Sequence, residues 1–102
     1  MTAWHDAAPA AALSEAEPLG VAIDGIPIAL FLLDGAVFAL HDLCPHGQAR
    51  LSDGFIEDGC VECPLHQGLV GIRDGAPRSE PITGPTRSYP ARIEGGRIQV
   101  AI

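Results

Sequence analysis

Two short pairs of metal-binding residue types, each set in a tight loop, constrain this chain more than any other feature. The first pair lies in Cys44-Pro45-His46-Gly47 and the second in Cys63-Pro64-Leu65-His66-Gln67-Gly68, with the sixteen residues 47–62 between the pairs. Proline and glycine beside each pair predict short, stiff loops. Two such loops facing each other would bring two thiolates and two imidazoles to one site, so the fold has to present both loops together.

This set of ligands suits two kinds of metal centre. One is a [2Fe–2S] cluster in which two histidines replace two cysteines on one iron. The other is tetrahedral zinc, but zinc modules with two cysteines and two histidines usually pair Cys with Cys and His with His. The mixed pairs of Cys44 with His46 and Cys63 with His66 fit zinc poorly. They favour the iron–sulfur cluster and leave zinc as the alternative.

The rest of the sequence predicts strands and turns. Asp-Gly pairs at 24–25, 34–35 and 58–59 lie between short apolar runs, which is the pattern of tight β-hairpins. The run 28–33 is apolar at every position, which predicts a strand covered on both faces. Segments 87–94 and 97–102 are predicted as a last hairpin about Gly95-Gly96. Together these patterns predict an all-β sandwich or barrel.

The N-terminal segment has no predicted strand. Residues 1–12 are rich in alanine and are expected to form a loosely held lead-in, with Trp4 as its anchor on the core. The segment 14–17 is expected to make one helical turn that Pro18 ends. No basic segment followed by an apolar run is present here, so a secretory signal is not expected.

Length and charge narrow the classes of function. The 102 residues are near the common size of one domain. The formal net charge is −7 and all six basic residues are arginines, which argues against nucleic acid as a partner. The longest apolar stretch, residues 26–33, is far shorter than the ~20 residues that span a bilayer. Three cysteines, two of them predicted ligands, argue against a disulfide framework, so a cytoplasmic location is expected.

The sequence resembles the Rieske ferredoxins, small electron carriers of bacterial aromatic-ring-hydroxylating dioxygenase systems, over nearly its whole length. The two ligand loops carry the resemblance, together with Leu51-Ser52-Asp53-Gly54-Phe55 and the segment 88–94. The resemblance implies the Rieske iron–sulfur fold, an antiparallel β-sandwich base with a small two-loop cluster-binding subdomain. In a single domain of residues 1–102, the cluster-binding part would be roughly 42–76, and the base 1–41 and 77–102.

The resemblance also implies the ligands of one [2Fe–2S] cluster. Cys44 and Cys63 would bind the inner iron as thiolates. His46 and His66 would bind the outer iron through a ring nitrogen, with the rings near the surface. Pro81 falls where the family has a proline loop that shields the cluster.

Higher-potential Rieske proteins of respiratory chains have an additional cysteine in each ligand loop, and a serine just past the histidine and glycine of the second loop. This chain has Ala49 and Leu65 at the cysteine positions, and Gln67-Gly68 follows the second histidine. Fewer hydrogen bonds to the cluster sulfurs stabilise the reduced state less. The sequence therefore predicts a reduction potential near the low end of the roughly −150 to +300 mV Rieske range.

Three other features near the ligands need an interpretation. Cys60 and Cys63 together look like a redox CxxC, but side chains three apart on a strand point to opposite faces, so Cys60 is predicted to be a spectator. His41 is interpreted as a solvated loop histidine, with contact to the cluster surroundings as the alternative. Four carboxylates are predicted to form a solvated face, and a docking role for some of them is left open: Asp53, Glu57, Asp58 and Glu62.

The resemblance implies a one-electron carrier and not an enzyme. The expected partners are a ferredoxin reductase and a terminal oxygenase, docked transiently by a monomer, with no nucleic acid or membrane partner. The chain has neither a nucleophile paired with a base nor an open metal position, and no room for a mononuclear-iron domain. The alternatives are the small Rieske-like subunit of a nitrite reductase, a Rieske ferredoxin serving another monooxygenase, and a zinc-stabilised interaction module.

Overall fold

A computed structural model of the chain describes residues 2–44, 49–64, 67–79 and 85–102. These residues contain β-strands and two short 3-10 helices, Ala10–Ala12 and Leu51–Asp53, and no α-helix. The strands are β1 (Trp4–Pro9), β2 (Leu19–Ile23), β3 (Ile26–Leu33), β4 (Ala36–His41), β5 (Phe55–Glu57), β6 (Cys60–Glu62), β7 (Leu69–Gly71), β8 (Ser88–Tyr89), β9 (Ala91–Glu94) and β10 (Arg97–Ala101). Among the described residues there is no helix with the length and apolar character to span a membrane.

The strands form three antiparallel sheets. One has the order β2-β3-β4-β8 and another the order β1-β10-β9. These two sheets meet where β4 contacts β9 and where β1 contacts β2, and they make up the base of the protein. The third and smaller sheet has the order β5-β6-β7. Strands β5 and β6 lie between the two ligand loops in sequence, and β7 follows the second loop. The all-β class and the antiparallel base with a small separate unit are as predicted.

The Asp-Gly pairs form the predicted hairpin turns. At 24–25, 34–35 and 58–59 the aspartates have φ between 48° and 51° and the glycines between 76° and 80°. Two consecutive residues with positive φ define the type I′ turn, whose twist matches that of the strands it joins. These turns connect β2 to β3, β3 to β4, and β5 to β6, with continuous antiparallel register across each pair.

Strand β3 is buried on both faces, as its apolar run predicts. Ile28 and Leu30 face the base core, whereas Ala29, Phe31 and Leu33 face a second core that we call the site-side core. The site-side core consists of Ala29, Phe31, Leu33, Leu40, Cys44, Leu51, Val61, Cys63, Val70 and Ile72. Because alternate residues of one strand serve the two cores, β3 joins the base rigidly to the part of the chain that carries the predicted ligands.

The prediction of a loose N-terminal lead-in is wrong. Residues Trp4–Pro9 form β1, which pairs with β10 at the other end of the chain. Trp4 is not anchored in the core, because 43% of it is exposed and the Arg92 guanidinium lies 4.0 Å from the centre of its ring. Ala8 is buried instead, so this strand packs by small side chains that an alternating apolar pattern does not reveal.

A hydrogen-bonded ion pair also holds β1 to β10. Arg97 Nε donates to Asp6 Oδ1 at 2.8 Å, and Arg97 Nη2 donates to Asp6 Oδ2 at 2.5 Å. These hydrogen bonds lower the pKa of Asp6. The helical turn expected at 14–17 is also misplaced, because those residues are not helical and the turn is the 3-10 helix Ala10–Ala12.

The predicted strand 87–94 is divided by Pro90. Ser88–Tyr89 pairs with β4, whereas Ala91–Glu94 pairs with β10 in the other base sheet. Proline has no N–H to donate to a strand ladder. The Pro90 carbonyl accepts a hydrogen bond from Ala101 N at 2.9 Å. The chain therefore changes sheets at Pro90 while the carbonyl of this residue stays hydrogen-bonded.

Candidate metal centre

Both predicted cysteine ligands open loops that are closed in the same way. The first loop, residues 44–49, is closed by a hydrogen bond from Cys44 N to Ala49 O at 2.9 Å. The second loop, residues 63–68, is closed by Cys63 N donating to Gly68 O, also at 2.9 Å. In each loop the amide of the cysteine therefore binds the carbonyl five residues later, which places the two cysteines in equivalent positions.

The second loop has an additional internal hydrogen bond. Gln67 N donates to Cys63 O at 2.8 Å, and Gln67 has a φ of 58°, in the left-handed region. A non-glycine residue with positive φ stores strain that the surrounding hydrogen bonds must hold. The backbone on both sides of Cys63 is thus tightly defined.

The structure brings Cys44 and Cys63 into one core. Cys44 is 4% exposed and Cys63 is 0% exposed, and both belong to the site-side core together with Leu51, Val61 and Val70. Soft thiolates from two closed loops, shielded from water by aliphatic side chains, fit the cysteine-ligated half of an iron–sulfur cluster. His46, His66 and Pro81 lie outside the described residues, so the full ligand set stays a prediction.

Cys60 lies on the opposite face of its strand from Cys63. Along β6 and into the second loop, Val61 and Cys63 are fully buried, whereas Cys60 and Glu62 are partly exposed. Cys60 is paired with Glu57 on one side and Gly71 on the other. The prediction that Cys60 is a spectator depends on this alternation of buried and partly exposed side chains. No disulfide joins Cys60 to Cys63.

His41 is not a loop residue. It is the last residue of β4, it is partly buried, and its backbone N–H donates to Arg87 O at 2.8 Å. The interpretation as a solvated loop histidine is therefore wrong, because β4 runs one residue further toward the first loop than the apolar run 36–40 indicates.

Asp42 was not among the residues predicted from the sequence, yet it is the fully buried carboxylate closest in sequence to a predicted ligand. It is 0% exposed, and its two oxygens accept hydrogen bonds from Ser52. One signal was present: residue 42 continues the alternation of β4 in phase with Leu40, which faces the site-side core. That phase places residue 42 on the site side in spite of its charge.

The small sheet presents an exposed apolar residue beside the second loop. Phe55 pairs with Glu62, and Glu62 pairs with Leu69, so these three side chains share one face. Glu62 directly precedes the second loop and Leu69 directly follows it. Phe55 is 66% exposed, and Glu57 lies on the same face two residues along the strand. We call Phe55, Glu57, Cys60, Glu62 and Leu69 the outer face of the small sheet.

Comparison with protein families gives one clear result. The model of the Rieske [2Fe-2S] domain matches residues 3–90 of this chain. Among curated proteins, the anthranilate 1,2-dioxygenase ferredoxin subunit of Burkholderia cepacia is 52% identical over 99 residues, which are 97% of this chain and 92% of that subunit.

Three solved structures are similar throughout. The Sphingomonas yanoikuyae B1 ferredoxin has a TM-score of 0.92 at 32% identity and covers 98% of this chain and 99% of its own. The ferredoxin chain matched in a complex of reduced oxygenase and oxidized ferredoxin in carbazole 1,9a-dioxygenase has a TM-score of 0.89 at 29% identity, covering 96% and 92%. A putative NADH-dependent nitrite reductase small subunit from Mycobacterium tuberculosis has a TM-score of 0.88 at 32% identity, covering 100% and 96%.

Proposed function

Because this chain belongs to the Rieske [2Fe–2S] domain family, we propose that it carries single electrons from a ferredoxin reductase to the terminal oxygenase of an aromatic-ring dioxygenase system. The observation that carries this proposal is the 52% identity to a dioxygenase ferredoxin subunit over 97% of the chain. The match to a [2Fe–2S] domain also disfavours zinc, which was the alternative from the ligand types alone.

The proposed ligands of the cluster are Cys44 and Cys63 on one iron and His46 and His66 on the other. When bound, the cluster supplies the one-electron redox chemistry. The chain supplies two closed loops that position the thiolates, and a site-side core that keeps water from them. On this assignment residues of about 42–76 form the cluster-binding part and the remainder forms the base.

The related proteins are ferredoxin subunits of dioxygenase systems, and an independent catalytic activity is not proposed for this chain. Its role would be to take one electron, diffuse as a monomer, and release the electron to a second protein. The net charge of −7 is suited to brief docking on basic surfaces, since charge attraction raises the association rate.

A reconstituted electron-transfer assay tests the proposal. The full chain is purified without oxygen, and iron, acid-labile sulfide and zinc are measured, with about two irons and two sulfides per chain expected for one [2Fe–2S] cluster. The chain is then added to a ferredoxin reductase, NADH and a candidate oxygenase, and reduction of the oxygenase is followed. Zinc without sulfide would contradict the cofactor, and a loaded chain that leaves oxygenase reduction unchanged would contradict the carrier role.

A nitrite reductase subunit is the second candidate, since a structure with that description matches with a TM-score of 0.88. Such a subunit would stay bound to a larger catalytic subunit, whereas a carrier must leave its partner after each electron. Analytical ultracentrifugation of the loaded chain with each partner separates the two functions. The carrier proposal expects a complex that dissociates in moderate salt, because screening weakens charge attraction between exposed groups.

The reduction potential is a direct prediction for the loaded protein. Residues 67 and 68, just past the second predicted histidine, are glutamine and glycine, so this position offers no side-chain hydroxyl to a cluster sulfur. We expect a potential near −150 mV, the low end of the Rieske range. Protein-film voltammetry at neutral pH measures it, and a positive potential would contradict the prediction.

We further propose that the outer face of the small sheet docks on the oxygenase. A similar ferredoxin is found in a complex with its oxygenase. The face has one exposed aromatic residue, Phe55, with carboxylates beside it at Glu57 and Glu62. A central aromatic anchor within a charged rim is the usual composition of a binding hot spot. The proposed occupant is a basic surface of the oxygenase with an apolar recess at its centre.

The substitution Phe55→Ser is expected to lower kcat/KM for electron transfer to the oxygenase about tenfold, the effect of losing one hot-spot contact. Ile93→Ser is the matched control, because Ile93 is also a large exposed apolar residue but lies on β9 of the base. The Phe55 variant should keep the wild-type decrease of rate with added salt, since the carboxylates remain. Equal rates for the two variants would argue against this docking face.

A further inference from the structure

We propose that Asp42 is the positioning residue of the first loop: its buried carboxylate, acting through Ser52, holds the loop that begins at Cys44. The inference rests on the proposed function in one respect, that Cys44 is a cluster ligand. Asp42 itself does not contact the metal in this proposal. It determines how rigidly the backbone of the cysteine is held, and its carboxylate adds a charge close in sequence to that cysteine.

Both oxygens of the carboxylate are engaged. Ser52 N donates to Asp42 Oδ1 at 2.7 Å, and Ser52 Oγ donates to Asp42 Oδ2 at 2.6 Å. The Arg50 guanidinium is 3.7 Å from Oδ2 and half exposed, whereas the carboxylate itself is 0% exposed. Hydrogen bonds to a charged acceptor in a site shielded from water are among the stronger ones in a protein.

The backbone of Asp42 is held as well. Asp42 N donates to Pro27 O at 2.9 Å, which ties it to β3, and Asp42 O accepts from Leu51 N at 2.7 Å. Asp42, where the chain enters the first loop, is therefore bound both to strand β3 of the base and to Leu51, where the chain returns from the loop.

These contacts are one of three consecutive pairings between residues 42–44 and 49–52, the two ends of the first loop, which we call its neck. At the top Cys44 N binds Ala49 O, and below it Leu43 and Arg50 form an antiparallel bridge. The third pairing is Asp42 with Leu51 and Ser52, in which two side-chain hydrogen bonds add to the backbone one. A shift of Ser52 relative to Asp42 would therefore be transmitted to Cys44 through the Leu43–Arg50 bridge and the Cys44–Ala49 hydrogen bond.

Strand β2 packs closely against the pairing of Asp42 with Ser52. Gly20 packs so closely on it that a Cβ at this position would lie 2.7 Å from Ser52 Oγ and 3.2 Å from Asp42 Oδ2. The pair is thus enclosed by β2 and by the loop itself. A buried carboxylate without a structural task would be costly, and here both of its hydrogen bonds to Ser52 join the two ends of the first loop.

Two effects on the cluster follow. Loosening the neck should let the cluster escape faster, because one of its thiolates is then held less firmly. The Asp42 carboxylate lies two residues before Cys44 in sequence, and a negative charge near a cluster opposes the arrival of an electron, so neutralising it should favour the reduced state. Asp42→Asn changes both properties, whereas Ser52→Ala loosens the neck and keeps the charge.

The experiment compares the loaded wild-type chain with Asp42→Asn, Ser52→Ala and the control Asp6→Asn. Asp6 is a suitable control because its carboxylate also accepts two hydrogen bonds from one residue, but it lies on β1 of the base. Three quantities are measured: the reduction potential, the rate of cluster loss to a chelator, and the hydrogen exchange rate of the Cys44 amide. The last is also measured after the cluster is removed.

For Asp42→Asn we expect cluster loss and Cys44 amide exchange at least fivefold faster, and an oxidised-to-reduced equilibrium shifted about tenfold toward the reduced form, or 59 mV for one electron. Ser52→Ala should speed loss and exchange similarly but shift the equilibrium less than threefold. Asp6→Asn should leave all three within twofold. If the Cys44 amide exchanges at the wild-type rate in both Asp42→Asn and Ser52→Ala, the proposal is overturned.

The readouts separate this proposal from the proposed function. If the wild-type chain holds no iron and sulfide, the proposed function fails, but amide exchange still tests whether Asp42 positions the loop. If Asp42→Asn does not fold, Ser52→Ala decides, because it retains the charge and removes a single hydroxyl. A loaded wild type with unchanged exchange and unchanged potential in the variants would defeat only the role of Asp42.

Discussion

Replacing Cys63 with serine is expected to leave a folded chain that holds no [2Fe–2S] cluster. Cys63 is fully buried, opens the second loop and lies in the site-side core with Cys44. A serine hydroxyl is not a soft thiolate and is not ionised near neutral pH, so it replaces cysteine poorly as an iron ligand. The buried hydroxyl also costs about 1–3 kcal/mol of folding free energy if it lacks a partner.

Cys60→Ser is the matched control for this prediction. It makes the same chemical change three residues earlier on the same segment, but on the face of β6 that points away from the site-side core. We expect it to retain the cluster and to change the free energy of unfolding by less than about 0.5 kcal/mol. Iron and sulfide content, the visible spectrum and thermal melting are measured for both variants. A cluster that survives Cys63→Ser and is lost in Cys60→Ser would reverse the ligand assignment.

The features that could be predicted from the sequence are those decided by neighbouring residues. Each Asp-Gly turn needs only two adjacent residues that accept positive φ, so three hairpins were predicted and are confirmed. The two-sided burial of β3 follows in the same way from an uninterrupted apolar run. The opposite facing of Cys60 and Cys63 needed only the two-residue period of a strand.

The features that were missed depend on residues far apart in the chain. Strand β1 forms because β10, at the other end, offers it an edge, and its Ala-rich sequence has little pattern of its own. Pro90 sends β8 and β9 to different sheets, which cannot be inferred from a run that resembles one strand. The burial of Asp42 likewise depends on Ser52 returning to it at the far end of the first loop.

For the candidate site, the sequence singled out the two cysteines but not the residues that hold their loops in place. Cys44 and Cys63 lie in one core and open equivalent loops, and their role as cluster ligands stays a prediction. The roles of His46 and His66 stay predictions, since these residues lie outside those that the structure describes. The motif does not contain the contacts that we expect to fix each loop: the Asp42–Ser52 contact for the first, and the close contact of Gly54 with the Glu62 carbonyl for the second.

Gly54→Ala is expected to destabilise both the fold and the cluster, because Gly54 lies directly against strand β6. A Cβ at Gly54 would lie 2.0 Å from the carbonyl oxygen of Glu62, which is backbone and cannot rotate away. Relief requires β6 to move, and Glu62 is bonded directly to Cys63. We expect a loss of about 3 kcal/mol, the upper part of the usual overpacking range, and a melting temperature lower by roughly 12–24 °C.

Gly59→Ala is the control, because Gly59 lies in the turn between β5 and β6, where an added methyl group causes backbone strain but no steric clash. Its φ is +76°, which strains any residue with a Cβ, but no atom lies within 4 Å of the added group. The cost should therefore be only the backbone strain of about 1–2 kcal/mol. Cluster retention should remain normal, since nothing pushes on β6. Because the two variants add the same methyl group at either end of β5, faster cluster loss in Gly54→Ala alone would show that the contact between Gly54 and Glu62 positions Cys63. Equal cluster loss in both would mean that hairpin stability, not this contact, governs the second loop.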